Sequence, residues 1–281
     1  MICRLPSAAI SAAIAMALAA PVGAQNAPED EDILVEAERE QRHREARQQA
    51  REITPRARTV VSAIARFQEP ICPGTLGLDP ESARLVNDRI MYNAELIGLP
   101  VAEGEGCTPN IIVAVVPDPR EDFAELRDLN HPLLRGVDLW ERKRVAGQEG
   151  PVLAWNITQT RTSAGQARSG GAAFDSTQTS RLSLGVREDM VLSVILIDDD
   201  VIGDADGVAL ADYATMRALA ETTPPDGDTT FGTVLAMFNE GAISSQRLTE
   251  FDLAYLRSIY ESRDNDPSQF SFRNVGKLME E

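Results

Sequence analysis

Acidic residues are crowded directly after a strongly apolar run of the chain, which reads VLSVILI over residues 191–197. Five aspartates follow it: Asp198, Asp199, Asp200, Asp204 and Asp206. Carboxylate oxygens in a loop are the ligands that Ca²⁺ prefers, so all of them except Asp199 are calcium candidates. However, Ile202 stands where the standard calcium-loop spacing needs an oxygen, and no glutamate closes the loop. We therefore prefer a hydrated acidic turn and assign no metal or other cofactor.

The same carboxylates suggest a second chemistry. Asp198 and Asp200, or Asp212 in the segment that follows, could act as the acid and base of a hydrolase, with or without a metal. Glycoside hydrolysis uses such a pair of carboxylates, but the sequence offers no aromatic-rich platform for a sugar. An envelope hydrolase is therefore an alternative function rather than the leading one.

The segment 207–221, GVALADYATMRALAE, predicts a helix that is buried on most sides, because small and apolar residues surround it. Its polar members include Asp212 and Tyr213, but it holds no histidine or cysteine. The chain has only two histidines, His43 and His131, and no Gly-x-Ser-x-Gly elbow. The helix is placed like an active-site helix but lacks the usual catalytic residues.

Patterns of apolar residues predict the elements that would position this helix. Helices are predicted at 81–99, 120–129, 137–146 and 248–260, where Thr249 can act as the N-cap. Strands are predicted at 110–117 and 151–161, and residues 181–197 as a hairpin that turns near 187–189. With helices at both ends of a small mixed sheet, the expected fold class is α+β.

The N-terminus is typical of a signal peptide over residues 1–24. Arg4 precedes an apolar core that is too short to cross a bilayer as a lasting helix, and small residues precede a cleavage point after Ala24. The mature protein is expected to be periplasmic or secreted, with no membrane span.

Residues 25–57 predict a charged and partly disordered helical extension, followed by one domain over 58–281. The helix at 34–53 has almost no apolar face, so we expect it to be solvated or loosely docked and not part of the core. A structural or assembly role through this helix is a third possible function.

The net charge excludes one class of partner, and the number of cysteines indicates the compartment. The formal net charge is −17, and loss of Arg4 with the leader takes it to −18. Nucleic acid is therefore an unsuitable partner, because its recognition needs clustered positive charge. Cys72 and Cys107 remain after cleavage and predict one disulfide in an oxidising compartment, with two buried thiols as the alternative.

The order of these elements resembles a metzincin-type zincin. In that family a buried helix carries the zinc-binding His-Glu-x-x-His motif, a turn with a methionine follows, and the closing helix often begins Leu-Thr-x-x-Asp. Here LTEFD at 248–252 matches the last pattern, and Met237 in VLAMF stands at the turn methionine. The chain is most similar to uncharacterised secreted bacterial proteins of this layout whose zinc motifs are degenerate.

The resemblance places Asp212 and Met216 where the two zinc-binding histidines would be, and Tyr213 at the general base. A thioether is a poor zinc ligand, and a phenol with a pKa near ~10 cannot replace a carboxylate base. The resemblance therefore implies a zincin-like protein that has lost its metal and is non-catalytic. Asp212, Tyr213, Met216 and Met237 are then binding candidates, and the expected partner is a peptide or envelope protein added along the sheet edge.

Overall fold

The computed structural model describes residues 28–55, 63–104, 106–166, 183–202, 206–239 and 245–281. The chain forms two compact units, residues 1–38 and residues 39–281. In the first unit the described residues are helical from Pro28, and the side chains of Leu34 and Val35 are exposed. The predicted signal peptide at 1–24 lies outside the described residues.

Helices and strands alternate through most of the chain. The helices are α1 (Pro28–Glu52), α2 (Pro80–Leu96), α3 (Pro119–Asp128), α4 (Leu139–Ala146), α5 (Gly207–Leu219), α6 (Glu250–Glu261), α7 (Ser268–Ser271) and α8 (Val275–Leu278). The strands are β1 (Arg66–Phe67), β2 (Pro73–Leu76), β3 (Ile111–Val116), β4 (Val152–Thr162) and β5 (Val186–Asp198). Short 3-10 turns cover 132–134, 199–201 and 234–236.

Among the described residues the strands form one five-stranded sheet in which β5 is central. β4 runs antiparallel along one side of β5, whereas β1 and then β3 run parallel along the other side. β2 pairs with β3, also in parallel. Because β4 pairs only with β5 among the described strands, its second edge is left open.

Both faces of the sheet are covered. Along β5, Ile195 and Ile197 enter the core with α2, α5 and α6, whereas Val194 and Leu196 enter a second core with α3 and α4. The alternation follows from strand geometry, in which successive side chains point to opposite faces. The expected mixture of helices and a sheet is confirmed. The sheet is mixed, as expected, and three of the four pairings between its described strands are parallel.

The hairpin predicted within 181–197 is wrong. β5 is one continuous strand, and the residues assigned to the turn, 187–189, pair with 159–161 of β4. Their polarity has another cause, because Asp189 forms ion pairs with both Arg187 and Arg161. Strand β4, not the first half of 181–197, is the antiparallel partner.

The solvated helix expected at 34–53 is also wrong for its second half. Small side chains let the backbone of α1 approach the core that contains α2, α5 and α6: Ala46 and Ala50 are fully buried, as is Ile53 just after the helix. A Cβ atom at Gly276 would lie 2.5 Å from the Cα of His43. A helix does not need a wide apolar face when alanine and glycine allow close packing.

Cys72 and Cys107 form the predicted disulfide, which confirms that pairing. It links the residue before β2 to the loop before β3. Because these two strands are parallel neighbours, the disulfide connects them covalently at one end of the sheet. Among the helices that the structure describes, none has both the length and the apolar character that a bilayer crossing requires.

Candidate functional site

Helix α5 is the structural centre of the site. Asp206 caps it by accepting a hydrogen bond from the backbone N–H of Val208 at 3.0 Å, and pairs with Arg247 at 2.5 Å. The same two partners hold the pKa of this carboxyl below its usual value. Every residue from Ala209 to Leu219 is buried. The predicted burial of this helix is therefore confirmed, and most of its side chains serve packing.

Asp212 is fully buried, and both of its carboxylate oxygens accept hydrogen bonds from side chains of α2. Arg89 donates to both carboxylate oxygens, from Nε at 2.6 Å and from Nη2 at 3.0 Å, and its pKa is raised by this hydrogen bonding. The Asn93 amide donates at 2.8 Å, and the backbone N–H of Leu248 donates at 3.2 Å. The carboxylate thus ties α5 to α2 and to the residues before α6, and has no open path to a substrate.

The other candidates carried by the resemblance do not share one surface. Tyr213 packs edge-on against Phe238, with ring centres 4.9 Å apart, on a different side of α5 from Asp212. Met216 is completely buried in the core. Met237, half-buried, ends the 3-10 turn 234–236 and packs against the same core. Of these four side chains, only Tyr213 lines a large cavity.

The Leu-Thr-x-x-Asp pattern has a clear structural role. The hydroxyl of Thr249 accepts from the backbone N–H of Asp252, and the Asp252 carboxylate accepts from the N–H of Thr249, which together form a capping box for α6. Asp252 also accepts from Thr233 at 2.6 Å and from the N–H of Val234 at 2.8 Å. Burial nevertheless raises its pKa to about 6. This buried carboxyl fixes the turn that carries Met237 against α6.

A cleft of about 1130 Å³ opens beside α5, and we call it the β4 cleft. One wall is formed by residues 147–152, which lead into β4, and the opposite wall by residues 223–228. Tyr213, Phe238 and Asn239 lie between them. Arg144, whose guanidinium pairs with Glu141 at 2.6 Å, lies at one end, and Asp226 and Asp228 stand on the opposite wall.

The unpaired edge of β4 reaches this cleft at Val152, and two residues further along a glutamine that lines the cleft occupies the edge at Ala154. The Gln148 side-chain amide donates to the carbonyl of Ala154 at 2.7 Å, and its oxygen accepts from the N–H of Ala154 at 3.1 Å. These two bonds reproduce the exchange that a residue of a neighbouring antiparallel strand would make. A side chain therefore stands where the next strand of the sheet would lie.

Arg217 lies directly behind this glutamine. Only 2% of the residue is exposed, and its Nη2 donates to the Gln148 oxygen at 2.5 Å while Nη1 donates to the Tyr213 hydroxyl at 3.0 Å. Its Nε has no hydrogen-bond partner, and no carboxylate among the described residues lies within ion-pair distance. The buried positive charge is thus surrounded by neutral groups.

The described part of the acidic loop holds an open group of carboxylates. Carboxylate oxygens of Asp198, Asp199 and Asp200 come within 4.8 Å of one another, but two of these side chains are exposed and Asp198 caps the turn that follows it. Asp206 is engaged by Arg247 and by the start of α5. Asp204 lies outside the described residues. Hydrated carboxylates account for this cluster.

Sequence reasoning missed Gln148 and Arg217. Glutamine in a loop gives no signal of its own, and its role depends on Ala154 and Arg217, which the fold brings to it. The arginine does give a signal, since it interrupts the apolar run ATMRALA in a helix predicted to be buried. A charged residue in such a position is rarely buried without a partner.

Comparison of the chain with protein-family models, with curated proteins and with solved structures gave no match.

Proposed function

We propose that this protein binds an extended peptide segment in the β4 cleft, by strand addition to the open edge of β4, and that it does so without catalysis. The observation that carries the proposal is the pair of hydrogen bonds between the Gln148 amide and Ala154. At this place a side-chain amide makes the two bonds that a peptide group of a further strand would make, which supports the proposal. Strand addition uses such main-chain groups for affinity and neighbouring pockets for specificity.

The cleft offers those neighbouring pockets. Its volume of about 1130 Å³ is large enough for several side chains, and Tyr213 and Phe238 provide an aromatic surface within it. In the pairing with β5, the peptide groups of Val152, Ala154 and Asn156 alternate with those that bond to β5, so they face the open side. A peptide of five or six residues would span this part of the edge.

The zincin-like part of the proposal rests on the order of elements around α5. A parallel strand, a buried helix, a turn with Met237 and a helix that begins Leu-Thr-x-x-Asp follow one another, as the resemblance implies. At the positions of the ligands and the base stand Asp212, Met216 and Tyr213. Asp212 is held by Arg89 and Asn93, which supports a scaffold that binds rather than hydrolyses.

The two alternative functions have less support. A hydrolase that used Asp212 would need a free carboxylate, but both of its oxygens are taken and it is fully buried. Asp198 and Asp200 belong to the hydrated acidic turn. An assembly role through helix 34–53 would have to use its first half, because Ala46 and Ala50 pack into the core.

Peptide display tests the binding proposal. A library of random hexapeptides is selected on the mature protein, and enriched peptides are synthesised with N-methyl groups at single positions. Methylation at alternate residues should weaken binding by about fivefold or more for each lost hydrogen bond, whereas the intervening residues should tolerate it. No enrichment, or equal tolerance at every position, would reject strand addition.

Export is part of the same proposal and has a separate test. The protein purified from the envelope or the medium of a bacterial host should begin at Gln25, after loss of residues 1–24. N-terminal sequencing and intact mass check this. A full-length chain retained in the cytoplasm would remove the envelope partner from the proposal and leave the cleft itself untouched.

A further inference from the structure

Among the described residues no carboxylate pairs with the buried Arg217, whereas several partly buried arginines do have such a partner. Arg89 has Asp212, Arg144 has Glu141, and Arg187 has Asp189 and Asp264. Arg66, the other buried arginine, also has no carboxylate partner among the described residues, but it donates to the backbone carbonyls of residues 262 and 263, which fixes the chain there. Within the described part of the chain, Arg217 donates to a phenol and to a side-chain amide and to no other group.

Both partners of Arg217 line the β4 cleft. Tyr213 and Gln148 stand between the guanidinium and the cleft, and the Gln148 oxygen accepts from Arg217 and from the N–H of Ala154 at the same time. An oxygen at this point therefore serves two donors, one on the sheet edge and one charged. Moving the Gln148 side chain aside would open Arg217 to whatever replaces it.

The bonding of Gln148 defines what the replacement must provide. A peptide residue opposite Ala154 in an antiparallel pair donates its N–H to the Ala154 carbonyl and accepts the Ala154 N–H on its own carbonyl oxygen. If that residue is the last of the peptide, the accepting oxygen belongs to a carboxylate. The Gln148 nitrogen then corresponds to the peptide N–H, and the Gln148 oxygen to one carboxylate oxygen.

We propose that the β4 cleft recognises the free C-terminus of an extended peptide, with the terminal carboxylate bound by Arg217 and by the N–H of Ala154 in place of Gln148. This inference rests on the proposed peptide-binding function and specifies its ligand. The carboxylate supplies the counter-charge that Arg217 lacks, and charge-assisted hydrogen bonds are about twice as strong as neutral ones. The terminal side chain lies against the aromatic surface of Tyr213 and Phe238.

Paired peptide libraries test the proposal without any change to the protein. Random hexapeptides with a free carboxyl terminus and the same peptides as C-terminal amides are titrated against the mature protein. For the enriched sequences we expect the acid to bind about tenfold or more tightly than the amide, because a bond to a charged group is lost. Equal affinity of acid and amide would overturn the inference.

Two variants place the effect at Arg217. In Arg217→Met the preference for the acid should disappear, whereas Arg135→Met, a change at an exposed arginine, should keep it in full. In Gln148→Ala the acid should bind more tightly than to the wild type, because no side chain competes for Ala154. An unchanged acid preference in folded Arg217→Met would reject this arginine as the recognition residue.

The remaining outcomes separate the inference from the proposed function. If no peptide of either library binds, strand addition itself fails. If binding follows alternate N–H groups but ignores the terminal carboxyl, the function stands and the inference fails. If binding instead requires an internal Asp or Glu and tolerates a terminal amide, the carboxylate comes from a side chain and the C-terminal assignment is wrong.

Discussion

Asp212 and Arg217 lie on the same buried helix but on different sides, about 140° apart around its axis. Both are charged and almost completely inaccessible, yet their surroundings differ. Asp212 has an arginine, an asparagine and a backbone N–H as donors to its two oxygens. Arg217 has two neutral acceptors, one for each Nη nitrogen, and its Nε has no partner.

This difference separates a structural charge from one that is available to a ligand. Burying an ion is unfavourable unless partners replace the lost water, and Asp212 has those partners within the chain. The partners of Arg217 satisfy two donors but leave its charge uncompensated. The same helix thus holds the fold together on its α2 side and carries, on its β4 side, the charge to which the proposed function assigns a ligand.

Removal of the Asp212 carboxylate should give the largest loss of stability. In Asp212→Ala, Arg89 and Asn93 lose their shared acceptor and the Leu248 N–H is left unpaired. Breaking one side of a buried ion pair costs roughly 3–5 kcal/mol, and the low end applies here because 26% of the Arg89 side chain is exposed. Urea unfolding of the mature protein measures the change.

Asp200→Ala is the matched control, since this exposed carboxylate should change the free energy of unfolding by less than about 0.5 kcal/mol. If Asp212→Ala were as mild as this control, Asp212 would not be structural. The hydrolase alternative would then regain its best candidate.

Asp252 is a second buried carboxyl group, and it differs from Asp212 because no arginine or lysine among the described residues pairs with it. Burial raises its pKa from 3.8 to about 6. The folded state therefore holds this proton more tightly than the unfolded state does. The stabilising contribution is complete below pH 3.8 and is lost as the pH rises through about 6, by roughly 3 kcal/mol in total.

Unfolding free energies measured between pH 3.5 and 7 reveal this contribution as a difference from Asp252→Asn, which cannot titrate. The wild type should lose stability relative to the variant as the pH rises through this range. Carboxyl groups with a lowered pKa make the free energy of unfolding rise with pH, but they are the same in both proteins, so their contribution cancels when the two curves are subtracted. Parallel curves for the two proteins would show that Asp252 titrates normally in the fold.

Arg217→Met should cost far less than Asp212→Ala. A methionine fills similar volume, and replacing a poorly compensated buried charge by an apolar side chain is often neutral or stabilising. The Tyr213 hydroxyl loses a donor, but it stands at the cleft, where water can replace it. We expect the free energy of unfolding to change by no more than about 1 kcal/mol. If Arg217→Met lowered the free energy of unfolding as much as Asp212→Ala, Arg217 would be a structural charge like Asp212.

Sequence patterns predicted the elements better than their pairing. The burial of α5, the strand β3 and the Thr249 cap of α6 follow from short-range signals and are confirmed. The disulfide followed from cysteine number and compartment. The hairpin failed because a polar stretch, 187–189, resembles a turn when its ion-pair partner Arg161 is far away in the sequence.

The binding groups could not be predicted from local sequence for the same reason. Gln148 precedes β4 by only a few residues, but its meaning depends on Arg217, 69 residues away. The second half of α1 is a further case, because Ala46 and Ala50 look unremarkable until Gly276 allows close approach. Long-range pairing gives these ordinary residues their roles.

The smallest effect concerns Gln148, and a second glutamine serves as its control. Gln49 makes the same pair of bonds to a backbone, donating to the carbonyl of Phe231 and accepting from its N–H, both at 2.8 Å. Gln49 is only 3% exposed, whereas Gln148 lines the cleft. Gln49→Ala leaves two backbone groups in a dry site and should cost about 1–2 kcal/mol.

Gln148→Ala should cost about 0.5 kcal/mol or less in the same unfolding measurement, because water in the cleft can reach Ala154. Equal losses for the two variants would mean that the β4 edge is closed to water, and so to a peptide as well. A smaller loss for Gln148→Ala is what a replaceable side chain requires. When a side chain contributes little to the free energy of unfolding, a peptide can replace its hydrogen bonds without destabilising the fold.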